Sequence, residues 1–379
     1  GWMMAGVGAI SYLVPAIGVA AGFALLKNES GALRILKWYV IVNSIMLVSV
    51  PFEYLGMDVP GLGGIQHEWI RNRTGYNVNL IAGWYRSPDI MGLHAAHTIM
   101  FSLLLSNRSR SEGQFSWLVP ALWAGFCVLV SGRRKMIGIP LVFLAFYLFL
   151  GIRLGMRKVG RLTGFAVIAV LAGSSIAIIF WSPDEAAEYT DFAVTLFTEG
   201  VGRSNEMIVG STVVTLQQAG LLGGGLGTAT QGRYYTGVQT ARHLRGWQED
   251  GVSRLFLEFG VPGVLLLLVC LFLVLATMGK ALKATSKQSN EQILQVGLIS
   301  VVAGDAASFA ISHQQFSGDP VSALFVTLMI GMVLRLPLLW PTNRPAIRQN
   351  TLPTQNQNLP AASHRKESGG SALPPEVKV

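Results

Sequence analysis

Along this chain, apolar runs of bilayer-spanning length alternate with short polar linkers. The runs fall at approximately 3–26, 35–54, 90–106, 117–131, 136–152, 163–181, 261–278, 293–312 and 320–340. Most approach the roughly 20 residues that a helix needs to cross a hydrocarbon core. The pattern predicts an all-α polytopic membrane protein with about nine transmembrane helices. The first run is already under way in GWMMAG, which lacks an initiator Met, so the chain reads as truncated at its N-terminus. Such a start argues for no signal peptide. Residues 341–379 are rich in Pro, Asn, Gln and Ser and show no apolar period. They predict a disordered cytoplasmic tail behind a transmembrane domain of residues 1–340.

Composition agrees with this class. Hydrophobic residues make up 51% of the chain and charged residues 13%, about half the charged share of a soluble domain. The formal charge of +9 resides largely in linkers, where it sets topology. No aromatic-basic interleaving accompanies it, which excludes nucleic acid as a partner. Cys127 and Cys270 lie in apolar runs and read as small hydrophobes rather than a disulfide or a metal pair.

The linker charges orient the spans. Lys27, Arg34 and Lys37 form one cluster, and Arg108 and Arg110 the next; Arg153, Arg157, Lys158 and Arg161 then precede Lys280, Lys283 and Lys287. These clusters fall in alternate linkers, as cytoplasmic loops must, and the tail adds Arg344, Arg348, Arg365 and Lys366. Residues 55–89, 132–135, 182–260 and 313–319 then face the opposite side. That assignment puts Arg133, Arg134 and Lys135 of LVSGRRKMIG outside, against the positive-inside tendency. Moving them inward would send a different basic loop outward.

The outer linkers have their own chemistry. The long loop 182–260 carries Arg203, Arg233, Arg242, Arg245 and Arg254 but no Lys, and 55–89 repeats the bias with Arg71, Arg73 and Arg86. Guanidinium binds phosphate or carboxylate bidentately and never deprotonates. Near a membrane, the fitting anions are lipid phosphates and diphosphates. The plainer reading pairs these arginines with the loop's own nine carboxylates. GLLGGGLGTATQG at 220–232 lacks the strand–turn–helix setting and the GK[ST] of a nucleotide loop, and reads as a flexible re-entrant turn.

Three further features carry candidate chemistry. His94 and His97 of HAAH share one helical face near the outer end of the third run. They fit packing or a polar cavity lining better than a zinc site. Asp305 lies inside a span, where a carboxylate faces a polar cavity or a partner. Glu249 and Asp250 precede a helix whose N-terminus they suit electrostatically, and they are also placed to act as a general base.

Taken in order, four segments resemble the O-antigen ligase and O-antigen polymerase superfamily of bacterial membrane glycosyltransferases. They are WYRSPDIMGLHAA at 84–96, LVSGRRKMIG at 129–138, VGRSNEMIVGSTVVTLQQAGLLGGGLGTA at 201–229 and DGVSRLFLEFGVPGVLLLL at 250–268. The likeness spans about 80–350 and rests on the order of the motifs together with the topology. It implies a GT-C-like fold in a bacterial inner membrane, with the active site on the periplasmic or extracytoplasmic side. It also implies that Arg133 or Arg134 together with Arg203, and Arg86 as a third, hold the diphosphate of a polyprenyl-linked oligosaccharide. The ligases carry His-Asn where this chain has Glu249 and Asp250, so the resemblance leans towards a polymerase, with one of these two carboxylates as base.

The function so implied is transfer of a glycan from a polyprenyl-diphosphate donor to an acceptor sugar hydroxyl, on a glycan or lipid acceptor. Neither a metal nor another cofactor is expected, and an envelope biosynthesis complex is an expected setting. The rival is a transporter or flippase for lipid-linked glycan or another anion. Transporters are commonly built from internal repeats, and no repeat is visible here. A third reading is a non-catalytic scaffold of an envelope complex, in which the arginines would be replaceable.

Overall fold

The computed structural model describes residues 2–57, 69–73, 76–108, 115–156, 198–200, 202, 205–229, 250–285, 290–313, 315–316 and 319–339. The expected span 163–181, most of the long loop, the expected tail, Arg203 and Glu249 lie outside the described residues. The helices are α1 (Trp2–Leu25), α2 (Glu29–Met46), α3 (Ser49–Tyr54), α4 (Pro88–Arg108), α5 (Leu118–Val130) and α6 (Arg134–Arg153), then α7 (Ser211–Ala219), α8 (Gly251–Ala284), α9 (Asn290–Phe309) and α10 (Pro320–Leu339). A π-helical turn at Glu206–Gly210 leads into α7. An antiparallel hairpin, β1 (Trp69–Arg73) and β2 (Tyr76–Leu80), stands between α3 and α4 with Trp69 opposite Leu80. The hairpin falls in a linker from which the apolar pattern predicts no element.

Among the described residues, seven helical stretches, with α2 and α3 taken together as one, are long and apolar enough to cross a membrane; α5 is apolar but shorter. These helices overlap eight of the nine predicted runs. α8 differs most from its predicted run: it starts at Gly251, ahead of the expected 261, and bends at Gly260. Its first segment contains Arg254 and Glu258, polar residues that read as loop in the sequence.

The order of burial is that of a bundle dissolved in lipid. α4 is the least apolar of the candidate spans, yet 94% of its apolar window is buried; α8 is the most apolar, and only 6% of its window is buried. The exposed side chains of α8 include Leu265, Leu266, Leu268, Val269, Leu271, Phe272 and Leu273. A helix that is apolar all round gains nothing from water but suits hydrocarbon. Polar side chains in a bilayer must instead find partners inside the bundle. α4 accordingly packs against α2, α5, α6 and α9.

Small residues set the closest approach. α1 and α10 pack in parallel, with Gly18 against Leu324 and Thr327, Gly22 against Leu328 and Gly331 against Val19 and Phe23. In a membrane, where lipid removes the hydrophobic drive between helices, such close backbone contact supplies the attraction. The Gly-rich turn after α7 uses the same device. Gly223 lies against Gly260 at the bend of α8, and Gly227 lies against Gly8 and Met4 of α1. Backbone hydrogen bonds from Gly224 N to Leu257 O (2.6 Å) and from Val261 N to Leu221 O (2.8 Å) fasten the turn to the bend.

Candidate functional site

Contacts between helix ends assemble one face of the bundle. Asp89 at the start of α4 meets Arg133 and Lys135 at the start of α6. Ile81 N bonds Val130 O at the end of α5. Gly251 at the start of α8 meets Phe309 at the end of α9, and His94 reaches Ser322 in the first turn of α10. The described parts of 55–89, 132–135 and 313–319, together with residue 250, therefore gather at the same end.

The segment 81–87 is pinned there by α3. Glu53 accepts backbone hydrogen bonds from Ala82 and Gly83, and Ser49 Oγ accepts one from Trp84 N at 2.9 Å. This fixes Tyr85, whose hydroxyl donates to Asn43 Oδ1 at 2.9 Å, while burial raises its phenol pKa. Next to it, Arg86 is exposed.

The three cations of LVSGRRKMIG stand at the N-terminus of α6. Arg133 occupies the N-cap position and makes no side-chain cap. One carboxylate, Asp89, is shared by Arg133 Nη2 (3.1 Å) and Lys135 Nζ (2.9 Å). Arg134 is buried and bonds Glu199 Oε2 at 3.3 Å. Cations at this end oppose the helix dipole, whereas anions are favoured there. All three cations thus have a carboxylate partner. For Arg134 the partner comes from the long loop, and for Arg133 it comes from α4.

Asp250 caps α8. Its Oδ1 accepts from Ser253 N at 2.6 Å, and its Oδ2 accepts from the Ser253 hydroxyl. With both oxygens engaged and the residue buried, its visible role is to hold the helix start. One turn on, Arg254 and Glu258 form a buried pair (Nε to Oε1, 3.8 Å), and Glu258 Oε1 also accepts from Ala229 N at 3.1 Å. Glu258 is therefore a link between α8 and the Gly-rich turn.

The bundle interior holds a continuous polar chain. Asp305 of α9 accepts from His97 Nε2 through both oxygens, at 2.9 and 3.0 Å. His97 Nδ1 lies 3.3 Å from the hydroxyl of Tyr39 in α2, and that hydroxyl lies 2.7 Å from His94 Nδ1. His94 Nε2 faces Ser322 Oγ at 3.5 Å and Asp319 Oδ2 at 3.9 Å. The Ser322 hydroxyl donates to Asp319 at 2.7 Å. Asp305, His97, Tyr39, His94, Ser322 and Asp319 are all buried.

The sequence singles out His94 and Asp305 individually but not the chain that joins them. Its middle member, Tyr39, lies in the apolar run ILKWYVIV and carries no periodic signal. Asp319 and Asp89 carry a helix-start signal instead: each is an acid beside a Pro at the start of an apolar run, where helix N-termini accumulate acids. Arg203 and Glu249 fall outside the described residues. Comparison with family models, with curated proteins and with solved structures returns no match.

Proposed function

We propose that the chain is a membrane glycosyltransferase of the O-antigen or exopolysaccharide polymerase or ligase type, with polymerase favoured and a GT-C-like architecture. The observation that carries this reading is the start of α6. There, three consecutive cations stand on a helix N-terminus without a side-chain cap, and two of them share one carboxylate. A diphosphate brings more negative charge than Asp89 and matches guanidinium geometry. In this reading, Arg133 or Arg134 with Arg203, aided by Arg86, holds the diphosphate of a polyprenyl-linked oligosaccharide at the extracytoplasmic face of a bacterial inner membrane.

The acceptor hydroxyl oxygen attacks the anomeric carbon from the face opposite the leaving group. The bond from that carbon to the diphosphate oxygen breaks, its electron pair leaves with the diphosphate, and the arginines stabilise the charge. Of the two candidate bases, Glu249 takes the hydroxyl proton, because the oxygens of Asp250 are held by Ser253. Asp250 then positions the helix start beside it.

The test is Arg134→Lys and Arg203→Lys, read as glycan chain length in the producing cell. Bidentate diphosphate binding predicts loss of polymer although charge is retained; unchanged polymer defeats the proposal. One observation favours the second reading, a transporter or flippase: carboxylates and imidazoles lie deep among the spans, as they do along ion and proton pathways. Vesicles holding the purified protein and a labelled polyprenyl-diphosphate glycan separate the two. Movement of label between leaflets without new glycosidic bonds selects the transporter.

A further inference from the structure

The donor and acceptor positions in the buried chain specify its protons. His97 Nε2 faces both oxygens of Asp305, which are acceptors, so this nitrogen carries a proton. His94 Nε2 faces Ser322 Oγ, whose own proton is committed to Asp319, with Asp319 Oδ2 behind it. This nitrogen carries a proton as well. If both imidazoles are neutral, both Nδ1 atoms are bare lone pairs, and both point at the hydroxyl of Tyr39. That hydroxyl has a single proton. One buried Nδ1 would then face an oxygen with no hydrogen between them, which is costly in a low-dielectric interior.

One additional proton removes the mismatch. Placed on either Nδ1, it donates to the Tyr39 oxygen while the Tyr39 hydroxyl donates to the other Nδ1. We infer that His94, Tyr39 and His97 form an intramembrane proton-binding site that holds one excess proton and passes it between the Asp319 end and the Asp305 end. In the transfer, the Nδ1 proton of His94 moves to the Tyr39 oxygen as the Tyr39 hydroxyl proton moves to Nδ1 of His97. His94 becomes neutral, His97 becomes imidazolium, and every hydrogen bond in the chain is retained in both states.

The surroundings suit this charge. Asp319 at the head of α10 and Asp305 on α9 supply two carboxylates for one excess proton. Tyr85 stacks on His94 with ring centroids 5.4 Å apart, and its hydroxyl bonds Asn43 of α2. From α6, the nearby cations Arg133, Arg134 and Lys135 are held by Asp89 and Glu199. The inference is independent of the glycan reading, because it uses none of the residues that hold the diphosphate or activate the acceptor.

The test is ¹⁵N NMR of the histidine-labelled full chain in bilayers at pH 8, well above the ordinary imidazole pKa of about 6.5. His94→Asn and His97→Asn assign the two rings. Wild type is expected to show one imidazolium equivalent averaged over both Nδ1 positions. Tyr39→Phe keeps the ring packed against Phe101 and Phe325, each at 4.9 Å, and removes only the oxygen; it is expected to abolish the averaging. Asp305→Asn is expected to fix the imidazolium on His94, beside the remaining carboxylate. Two neutral rings at pH 8 in the wild type, or spectra unmoved by both substitutions, overturn the inference.

Discussion

Gly260→Ala is the sharpest test of how the Gly-rich turn is built. Gly260 has φ 64° and ψ −171°, a region essentially reserved for glycine, and a residue with a Cβ there costs about 1–3 kcal/mol. The added carbon would also run into the backbone of Leu221 and Leu222. Relief requires lifting the turn from α8, which breaks the bonds from Gly224 N to Leu257 O and from Val261 N to Leu221 O. Each is worth about 0.5–1.5 kcal/mol net. The sum is about 2–6 kcal/mol, or about one and a half to four orders of magnitude in the folding equilibrium. The assay is thermal unfolding in detergent, followed by reaction of Cys127 with a fluorogenic maleimide in a Cys270→Ala background. Cys127 is buried and Cys270 exposed. Gly279→Ala is the control: it lies on the same helix with nothing within 4 Å of its added Cβ, so helix propensity predicts a gain of up to about 1 kcal/mol. A drop of about 5 °C or more is expected for Gly260→Ala. If it melts with Gly279→Ala, the close packing at the bend is wrong.

Two other outcomes follow from the face of the bundle. Asp89→Asn strips the shared partner from Arg133 and Lys135, and partly buried cations left so are expected to destabilise by about 1–3 kcal/mol. Adding Arg133→Gln to Asp89→Asn should recover part of that loss, giving a coupling of at least about 0.5 kcal/mol in the double-mutant cycle; strict additivity speaks against the contact. Asp250→Asn retains a capping acceptor and should keep both stability and glycan product, whereas Asp250→Ala should lose about 1 kcal/mol of stability. Loss of product in a stable Asp250→Asn protein would return the base role to Asp250.

The parts of this fold that are legible in the sequence are those governed by the solvent. Apolar runs mark where the chain lies in lipid, and they locate α1, α4, α6, α9 and α10 to within a few residues, whereas the run at 35–54 starts six residues into α2 and continues through α3. The hidden parts depend on contacts between helices. His97 pairs with Asp305 across 208 positions of sequence, and no local period reports a partner at that distance. The first segment of α8 looks like loop because it is charged, yet Arg254 and Glu258 neutralise each other inside the bundle. The hairpin pairs β1 with β2, and its second strand YNVNL alternates apolar and polar positions, a period-2 signal that a search for membrane-length apolar runs passes over.

The distribution of charge then separates structure from function. A chain with only 13% charged residues has little need of three adjacent cations for solubility. At the N-terminus of α6 they oppose the helix dipole, and Asp89 and Glu199 offset that cost without removing its cause. A neutral helix start would be more stable in the isolated protein. The cost is recovered if an anion heavier in charge than a carboxylate occupies this end during the working cycle. Asp89 would then act as the exchangeable counter-ion that keeps Arg133 and Lys135 in place until that anion arrives.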